Sequence, residues 1–246
     1  MPFTLSHSAA VLPLIRSRRL SATGLIVGTM VPDFEYFFRM DVQGIYGHNV
    51  PGLFYFDLPV GLLLAFVFHL VVKKNLIDHL PVFFQKKFHE VRTLDFVSYF
   101  KDHKAAVIVS VIIGAATHIV WDGFTHKNQY FVKALAGIYD NRTLPLFGVK
   151  YPLWYGLQLV STAVGGFFVG LYVLFMKSTA GIFNRPGIIY WILLLLCTAS
   201  ITFLRMYLYD GVSPKYVVMI ITIISSFCIG ITILGFVPFK RREIAG

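Results

Sequence analysis

The stretch AAVIVSVIIGAATHIVWDGFTH, residues 105–126, is a long apolar run that ends in three regularly spaced polar residues. A helix needs ~20 apolar residues to cross a bilayer, and this run is close to that length. His118, Asp122 and His126 follow one another at intervals of four residues, which places His118 and Asp122 on one helical face. Ionisable groups at membrane depth are costly and mark candidate functional sites. The stretch therefore predicts a membrane helix with a polar site at its end.

The rest of the chain has the composition of a polytopic membrane protein. Of its 246 residues, 57% are hydrophobic and 14% are charged, and the mean hydropathy is +0.70. These values exclude an ordinary soluble domain. We predict an all-α polytopic membrane protein that forms a single membrane domain over residues 1–246. Its transmembrane helices, about five, are predicted at 52–72, 105–123, 153–176, 187–208 and 215–238.

Two shorter apolar pieces precede the first predicted span, within residues 1–51. They are SHSAAVLPLI and SATGLIVGTMV, and each is too short to cross a bilayer. Ser6 and Ser21 are suitable N-caps, and the basic stretch RSRR lies between the two pieces. The pattern predicts a short N-terminal helical hairpin, which brings His7 and Asp33 back to the same end.

The segment 73–104 is predicted to be basic, amphipathic and interfacial. Its apolar residues recur at helical spacing, with basic residues between them: Leu80, Phe84, Phe88, Val91 and Leu94, interleaved with Lys86, Lys87, Arg92 and Lys101. The alternative is a solvated helix in a loop.

The net charge of +10 is assigned to anionic lipid headgroups, and no nucleic-acid partner is predicted. With this segment inside, 12 of the 22 Lys and Arg face the cytoplasm, which favours N-out, C-in.

This topology predicts that six potential metal ligands meet at one face of the membrane. His48 precedes the first span, and His118, Asp122 and His126 end the second, so a two-span hairpin delivers them to the same side as His7 and Asp33. Imidazoles and carboxylates are the ligands of zinc and similar divalent ions. We therefore predict one or two divalent ions, with zinc favoured. The alternative is that His118 and Asp122 only hydrogen-bond each other and a neighbouring helix.

The spacing of the motif also sets a geometric constraint. On an unbroken helix His126 lies ~12 Å along the axis from His118, whereas a zinc ligand lies ~2 Å from its ion. Either Gly123 breaks the helix and lets His126 fold back, or Asp122 bridges two ions with one histidine on each. Both alternatives remain open at the level of sequence.

Further polar residues could serve the site from nearby positions. Glu35 is a candidate general base for a metal-activated water. Asp57 either accepts a hydrogen bond from a ligand or pairs with Arg205, and Gln158 is undecided. Lys127 and Arg39 could receive a phosphate, or simply lie at the membrane interface. The remaining histidines, His69, His79, His89 and His103, are expected away from the site.

Several motifs give the chain a family resemblance. The segments MPFTLSHSAAVLPL, VGTMVPDFEYF, GHNVPGLFYFDLPVGLLL, ATHIVWDGFTH and YGLQLVSTAVGG resemble a bacterial integral-membrane family of unknown function. The order of His, Asp, His, His-x-x-x-Asp and His is similar to that of membrane-bound metal-dependent hydrolases and, more distantly, of zinc-dependent phospholipase C. The resemblance implies that His7, Asp33, His48, His118, Asp122 and His126 are metal ligands. The chain lacks the His-x-x-x-Glu pair that follows in the phospholipase, so a third ion is not expected.

These observations lead to two expectations of function. The first is a metal-dependent hydrolase of the bacterial cytoplasmic membrane, with its site on the non-cytoplasmic face, acting on a lipid or lipid-linked phosphoester. The second is a non-enzymatic membrane protein whose cluster is a structural or transport metal site or a proton relay. Nothing in the sequence indicates an oligomeric state.

Overall fold

The chain folds mostly into helices. The computed structural model describes residues 4–127 and 129–240, except the side chain of Ile182, and the backbone of residues 243–245. The α-helices are α1 (Ala22–Met30), α2 (Phe34–Arg39), α3 (Leu58–Val67), α4 (Lys73–His79), α5 (Val82–Lys87), α6 (His89–Thr93), α7 (Phe96–Asp102), α8 (Lys104–Thr125), α9 (Tyr130–Ala134), α10 (Ala136–Tyr139), α11 (Leu153–Phe175), α12 (Ile188–Tyr207) and α13 (Lys215–Gly235). Thr4–Leu14 and Val31–Asp33 are 3-10 helices, and Leu53–Asp57 and Phe68–Val72 are π-helical. Residues 1–3, Arg241 and Arg242, used above in the family motif and the charge balance, lie outside the described residues.

Five helical segments are long and apolar enough to cross a membrane, which confirms the predicted number. They are Leu53–His79, Lys104–Ala134, Leu153–Phe175, Ile188–Tyr207 and Lys215–Gly235. The first continues through the paired lysines Lys73 and Lys74, which belong to α4, and ends at His79, seven residues beyond the predicted end at 72. Five such helices indicate a membrane protein.

The backbone divides into two compact units. One comprises Met1–Asp33, Tyr46–Leu62 and Lys104–Phe175, and the other comprises Phe34–Ile45, Leu63–His103 and Met176–Gly246. All six predicted metal ligands belong to the first unit. The prediction of a single membrane domain stays a prediction.

In the first unit the N-terminal segment forms a hairpin of two short helices. Ser21 caps α1 as predicted, with its hydroxyl accepting a hydrogen bond from the Gly24 N–H at 3.3 Å. The prediction of Ser6 as a cap is wrong. The first helix is a 3-10 helix that begins at Thr4, and the Ser6 hydroxyl instead donates to the Thr162 carbonyl oxygen at 3.0 Å.

Close contact between α1 and α8 depends on small residues. A Cβ on Gly28 would lie 2.4 Å from the Val111 carbonyl oxygen, and one on Gly114 would lie 2.4 Å from the Leu25 carbonyl oxygen. Only glycine lets the two backbones approach this closely, as in small-residue interfaces of membrane helices. The packing fixes the hairpin against the helix that carries His118 and Asp122.

The all-α prediction missed two short β-ladders. In the first unit, β1 (Thr143–Leu146) pairs antiparallel with β2 (Val149–Pro152). The turn between them, Phe147–Gly148, has positive φ at both residues, which matches the twist of a two-residue hairpin. In the second unit, β3 (Ile182–Asn184) pairs antiparallel with β4 (Glu243–Ala245).

The second unit corrects the prediction for residues 73–104. No single amphipathic helix forms there; after α4 the segment folds into α5, α6 and α7. The segment breaks at Pro81, which lacks the N–H of a continuing helix, and at Asp95, whose carboxylate caps α7 by accepting from the Val97 and Ser98 N–H groups. Its polar side chains also pair within the unit. The buried Gln85 amide donates to the carbonyl oxygens of Leu80 and Asn184, both at 2.7 Å, and the Lys87 ammonium donates to the Met176 carbonyl oxygen at 2.8 Å. An interfacial position for this segment stays a prediction.

Candidate metal centre

The six predicted ligands converge within the first unit. Short 3-10 helices deliver His7 and Asp33, the loop before the first long helix delivers His48, and α8 carries His118 and Asp122. His126 lies directly after α8. His7, Asp33, His118 and Asp122 are buried, while the side chains of His48 and His126 are 12% and 24% exposed. The cluster is therefore a largely buried polar site with one more open side.

Four of the side chains form an inner set around a common point. Their ligating atoms, one each from Asp33, His48, His118 and Asp122, all lie within 4.8 Å of one another. Asp33 Oδ1 lies 3.4 Å from His48 Nε2 and 3.6 Å from His118 Nε2. Asp122 Oδ2 lies 3.6 Å from His48 Nε2 and 3.3 Å from His118 Nε2. Two imidazoles and two carboxylates facing one point can hold one divalent ion.

The other oxygen of Asp122 faces the remaining two histidines. Asp122 Oδ1 lies 3.5 Å from His7 Nε2 and 3.3 Å from His126 Nδ1. The Asp122 carboxylate thus separates the inner set from an outer set formed by His7, Asp122 and His126. A carboxylate shared in this way can bridge two ions.

The backbone excludes one of the two alternatives for the motif, and the bridging of two ions by Asp122 stays a prediction. α8 continues past Gly123 to Thr125, and the His126 N–H still donates to the Asp122 carbonyl oxygen at 3.0 Å. A break at Gly123 is therefore wrong, and the arrangement with Asp122 between two histidines is the one observed. Gly123 has a packing role, because a Cβ there would lie 2.6 Å from the Phe131 ring.

The polar atoms of the cluster are suited to a cation. His7 Nε2, His118 Nε2 and Asp122 Oδ1 are buried and have no hydrogen-bond partner among the described residues. Over the same residues, no Lys or Arg pairs with either carboxylate. Buried carboxylates without a counter-charge are strongly destabilising. A divalent ion would satisfy these atoms and balance the two negative charges.

Two hydrogen bonds orient ligands of the inner set. His118 Nδ1 donates to the Thr29 carbonyl oxygen at 2.7 Å, which leaves the lone pair on Nε2, the atom that faces Asp33 and Asp122. The Thr4 hydroxyl donates to Asp33 Oδ2 at 2.7 Å, so Oδ1 is the oxygen that faces the centre. Such outer partners are typical of metal sites, where they fix the tautomer and orientation of each ligand.

Gln158 orients the outer histidine. Its side-chain Nε2 lies 3.0 Å from His126 Nε2, on the side of the ring opposite Asp122. Because a ligating Nδ1 requires the proton on Nε2, the amide must turn over and present its oxygen to His126 when a cation is bound. Gln158 is buried on α11, a helix with few buried residues. The sequence left its role undecided, and the structure shows a direct contact with a predicted ligand.

Burial and the neighbouring charges set the protonation of the three groups that lie outside the apolar helices. Burial, with His118 adding to it, lowers the pKa of His7 to about 3, so this imidazole is neutral. Burial opposes ionisation of Asp33, but His118 and His48 outweigh it and the pKa is lowered. Burial likewise lowers the pKa of His48, but hydrogen bonds to Asp122 and Asp33 outweigh it and raise the value to about 9.

The residues predicted to assist the site have varied surroundings. Glu35 and Arg39 belong to the second unit, where the buried Glu35 carboxylate accepts from the Ile45 N–H at 2.8 Å and pairs with Arg39 at 3.1 Å. Asp57 is fully buried in the first unit, and Lys127 is exposed directly after His126. The proposed roles of Glu35 as a base, and of Arg39, Lys127 and Asp57 in support, stay predictions.

The histidines expected away from the site all lie in the second unit. The His69 ring stacks on Phe96 and the His79 ring stacks on Tyr190, with 4.2 and 4.4 Å between ring centroids.

Thr4 and Thr29 were not predicted as partners of the ligands. No periodicity in the sequence distinguishes a threonine that supports a ligand from one that packs.

Comparisons with known proteins identify a family. The family model described as "Domain of unknown function (DUF4184)" matches residues 1–236. No curated protein and no solved structure matches the chain.

Proposed function

We propose that this chain, which belongs to the DUF4184 family of domains of unknown function, is a membrane-bound metal-dependent hydrolase of a lipid or lipid-linked phosphoester. The observation that carries the proposal is the Asp122 carboxylate, whose two oxygens face separate sets of histidines at 3.3–3.6 Å. Such a carboxylate is suited to two neighbouring ions, an arrangement found in many phosphoester hydrolases.

The two sets of ligands differ in a way that favours catalysis over a purely structural site. The inner set supplies a ligand from each of four residues, which would fill the tetrahedral positions of zinc. The outer set supplies three, from His7, Asp122 and His126, which leaves one position for water or substrate. An ion bound there would lower the pKa of a coordinated water toward neutrality. The partial exposure of His126 gives this side of the centre access from outside.

The protein's own residues have distinct parts in the proposed site. Asp33, His48, His118 and Asp122 bind the inner ion, which we propose to be zinc because imidazole and carboxylate are among its common ligands. Thr4 and the Thr29 carbonyl hold Asp33 and His118 in the orientation that ligation requires. Gln158 holds His126 on the open side.

The substrate class and location follow from the membrane character of the chain. Five long apolar helices would hold the centre in or beside a lipid phase. We therefore propose a substrate that is itself membrane-bound, a lipid or a lipid-linked phosphoester. From the Lys and Arg balance we further propose that the centre lies on the non-cytoplasmic side of a cytoplasmic membrane. That this membrane is bacterial is proposed from the family resemblance alone.

A hydrolysis assay tests this function. Full-length protein in detergent, loaded with zinc, is incubated with a panel of phospholipids and lipid-linked phosphates, and released phosphate or headgroup is measured. We expect turnover that disappears in Asp122→Ala and persists in His103→Ala, a matched loss of one polar side chain in the second unit. Absence of metal-dependent turnover across the panel, in protein that binds metal, would rule out the proposed reaction.

One arrangement favours a non-enzymatic alternative, a proton relay: His48 Nε2 lies 3.4 Å from Asp33 Oδ1 and 3.6 Å from Asp122 Oδ2. Against the opposing effect of burial, these two carboxylates raise the pKa of His48 to about 9, so a protonated His48 could itself balance part of their charge. Ionisable chains of this kind move protons in membrane proteins. Metal content separates the two functions, because a relay has no need of stoichiometric metal.

A further inference from the structure

A groove beside the proposed metal centre carries three cationic side chains among its mostly neutral lining residues. It is formed by the segment between α8 and α11 and has a volume of about 520 Å³, which lies within the usual range of small-molecule sites. Lys127, Lys133 and Arg142 line it, together with a single carboxylate, Asp140. All four charged side chains are exposed, so they can reach a ligand without unfolding the segment.

The cations of the groove have no ion-pair partner in the part of the chain that the structure describes. Among the described residues, none of Lys127, Lys133 and Arg142 forms an ion pair. By contrast, Arg92 pairs with Asp78, and the buried Lys87 donates to a backbone carbonyl oxygen. Three cations against one carboxylate give the groove a net positive charge, which attracts anions.

The groove is fixed to the end of α8 that carries the ligands. The buried Tyr139 donates its hydroxyl to the Phe124 carbonyl oxygen at 2.9 Å. The Phe131 ring stacks on that of Phe124, with 4.1 Å between centroids and 4° between planes. Phe124 lies between Asp122 and His126, and Lys127 follows His126 directly. These contacts hold the groove next to the outer ligand set.

We propose that this groove binds the phosphate group of an anionic, membrane-bound ligand. Lys127 and Lys133 supply point charges, and the guanidinium of Arg142 can form two parallel hydrogen bonds with phosphate oxygens. Trp154 also lines the groove, and the hairpin turn nearby exposes Phe147 completely. Aromatic side chains of this kind are enriched at the headgroup level of a bilayer. The role of the groove as the phosphate subsite of a hydrolase rests on the proposed function. Its ability to bind an anion depends only on its own charge and shape.

A calorimetric titration tests the proposal on full-length protein in detergent. The probes are dihexanoyl phosphatidic acid, a water-soluble lipid phosphate, and inorganic phosphate. The groove variant combines Lys127→Gln, Lys133→Gln and Arg142→Gln. The control combines Arg16→Gln, Arg18→Gln and Arg19→Gln, which removes the same number of exposed positive charges from the first unit outside the groove. Each protein is titrated as purified and after treatment with a chelator.

We expect the groove variant to bind phosphatidic acid with a Kd roughly tenfold higher than that of the wild type, or higher still. The reason is that each lost hydrogen bond between a charged side chain and the phosphate removes a substantial part of the binding free energy. The control should bind as the wild type does, and the difference should persist after chelation, whether or not the protein carries metal. A greater affinity for phosphatidic acid than for inorganic phosphate supports a lipid as the source of the phosphate, whereas equal affinities would overturn the membrane-bound ligand in favour of free phosphate. Equal weakening in both variants, or unchanged binding in the groove variant, would overturn the proposal.

Discussion

His118 donates a hydrogen bond from Nδ1 to the backbone carbonyl oxygen of Thr29, with 2.7 Å between the two atoms. Thr29 lies near the end of α1, and His118 lies near the end of α8. The bond therefore joins the N-terminal hairpin to the motif-bearing helix at the point where the ligands meet. It also leaves Nε2 as the atom of His118 available to a cation, so the fold and the chemistry of the centre are linked through one backbone group.

Thr4→Val should weaken metal binding without unfolding the protein. The variant removes the hydroxyl that donates to Asp33 Oδ2 but keeps a side chain of similar shape. Loss of an outer partner of a metal ligand costs roughly 10–100-fold in affinity. Competition with a chromogenic chelator measures the change. Thr232→Val, which removes a hydroxyl bonded only to its own helix at Cys228, should match the wild type, and equal affinities in both variants would contradict the role of Thr4.

Gln158→Leu should weaken binding of the outer ion, whereas Gln158→Glu should not. Leucine leaves His126 Nε2 without a partner, whereas a carboxylate at the same position can accept the Nε2 proton and keep Nδ1 free. We expect Gln158→Leu to lower the affinity of one ion by roughly 10–100-fold and Gln158→Glu to retain it. Metal titration of chelator-treated protein measures both. Retention of both ions in the leucine variant would show that Gln158 does not position His126.

Gly28→Ala should destabilise the first unit. The added Cβ would lie 2.4 Å from the Val111 carbonyl oxygen, so α1 and α8 must separate. Overpacking of this kind costs roughly 1–3 kcal/mol, which a lower midpoint of thermal unfolding in detergent should show. Gly170→Ala is the control, because a Cβ there meets no described atom within 4 Å. Equal midpoints in the two variants would mean that the close helix contact is dispensable.

Metal removal should destabilise the protein, and zinc should reverse the effect. Without a cation, the buried carboxylates of Asp33 and Asp122 lack a full counter-charge, whereas an ion that binds the folded state alone stabilises it by mass action. We expect a lower midpoint of thermal unfolding after chelation, and recovery on addition of zinc but not of magnesium. A midpoint that is insensitive to chelator and zinc in the wild type would argue for the proton relay.

The features that could be predicted from the sequence are those that depend on the local pattern of apolar and polar residues. Apolar runs of sufficient length gave the five long helices, and the four-residue spacing placed His118 and Asp122 on one face of α8. The predicted N-terminal hairpin places Asp33 near His7, and the Thr4–Asp33 hydrogen bond shows that the two ends of the hairpin do meet.

The remaining features depend on contacts between distant parts of the chain. Helical spacing in residues 80–94 suggested one amphipathic helix, but Gln85 bonds to the Asn184 carbonyl oxygen, a partner that no local pattern reveals. A helix break at Gly123 was one of two alternatives, yet Gly123 lies within α8, where the absence of a side chain makes room for the Phe131 ring. The contacts of Thr29 with His118 and of Gln158 with His126 could not be predicted for the same reason, because each partner lies far along the chain from the histidine that it contacts.

Metal content of the purified protein is the decisive measurement for the proposed metal centre. Elemental analysis is applied to the wild type, to Asp122→Ala, which removes the carboxylate shared by both ligand sets, and to His103→Ala as the control. We expect stoichiometric divalent metal, up to two ions per chain, in the wild type and in His103→Ala, and none in Asp122→Ala. A wild type that carries no stoichiometric metal even after incubation with zinc, or an Asp122→Ala variant that retains its full content, would show that these residues do not form a metal centre.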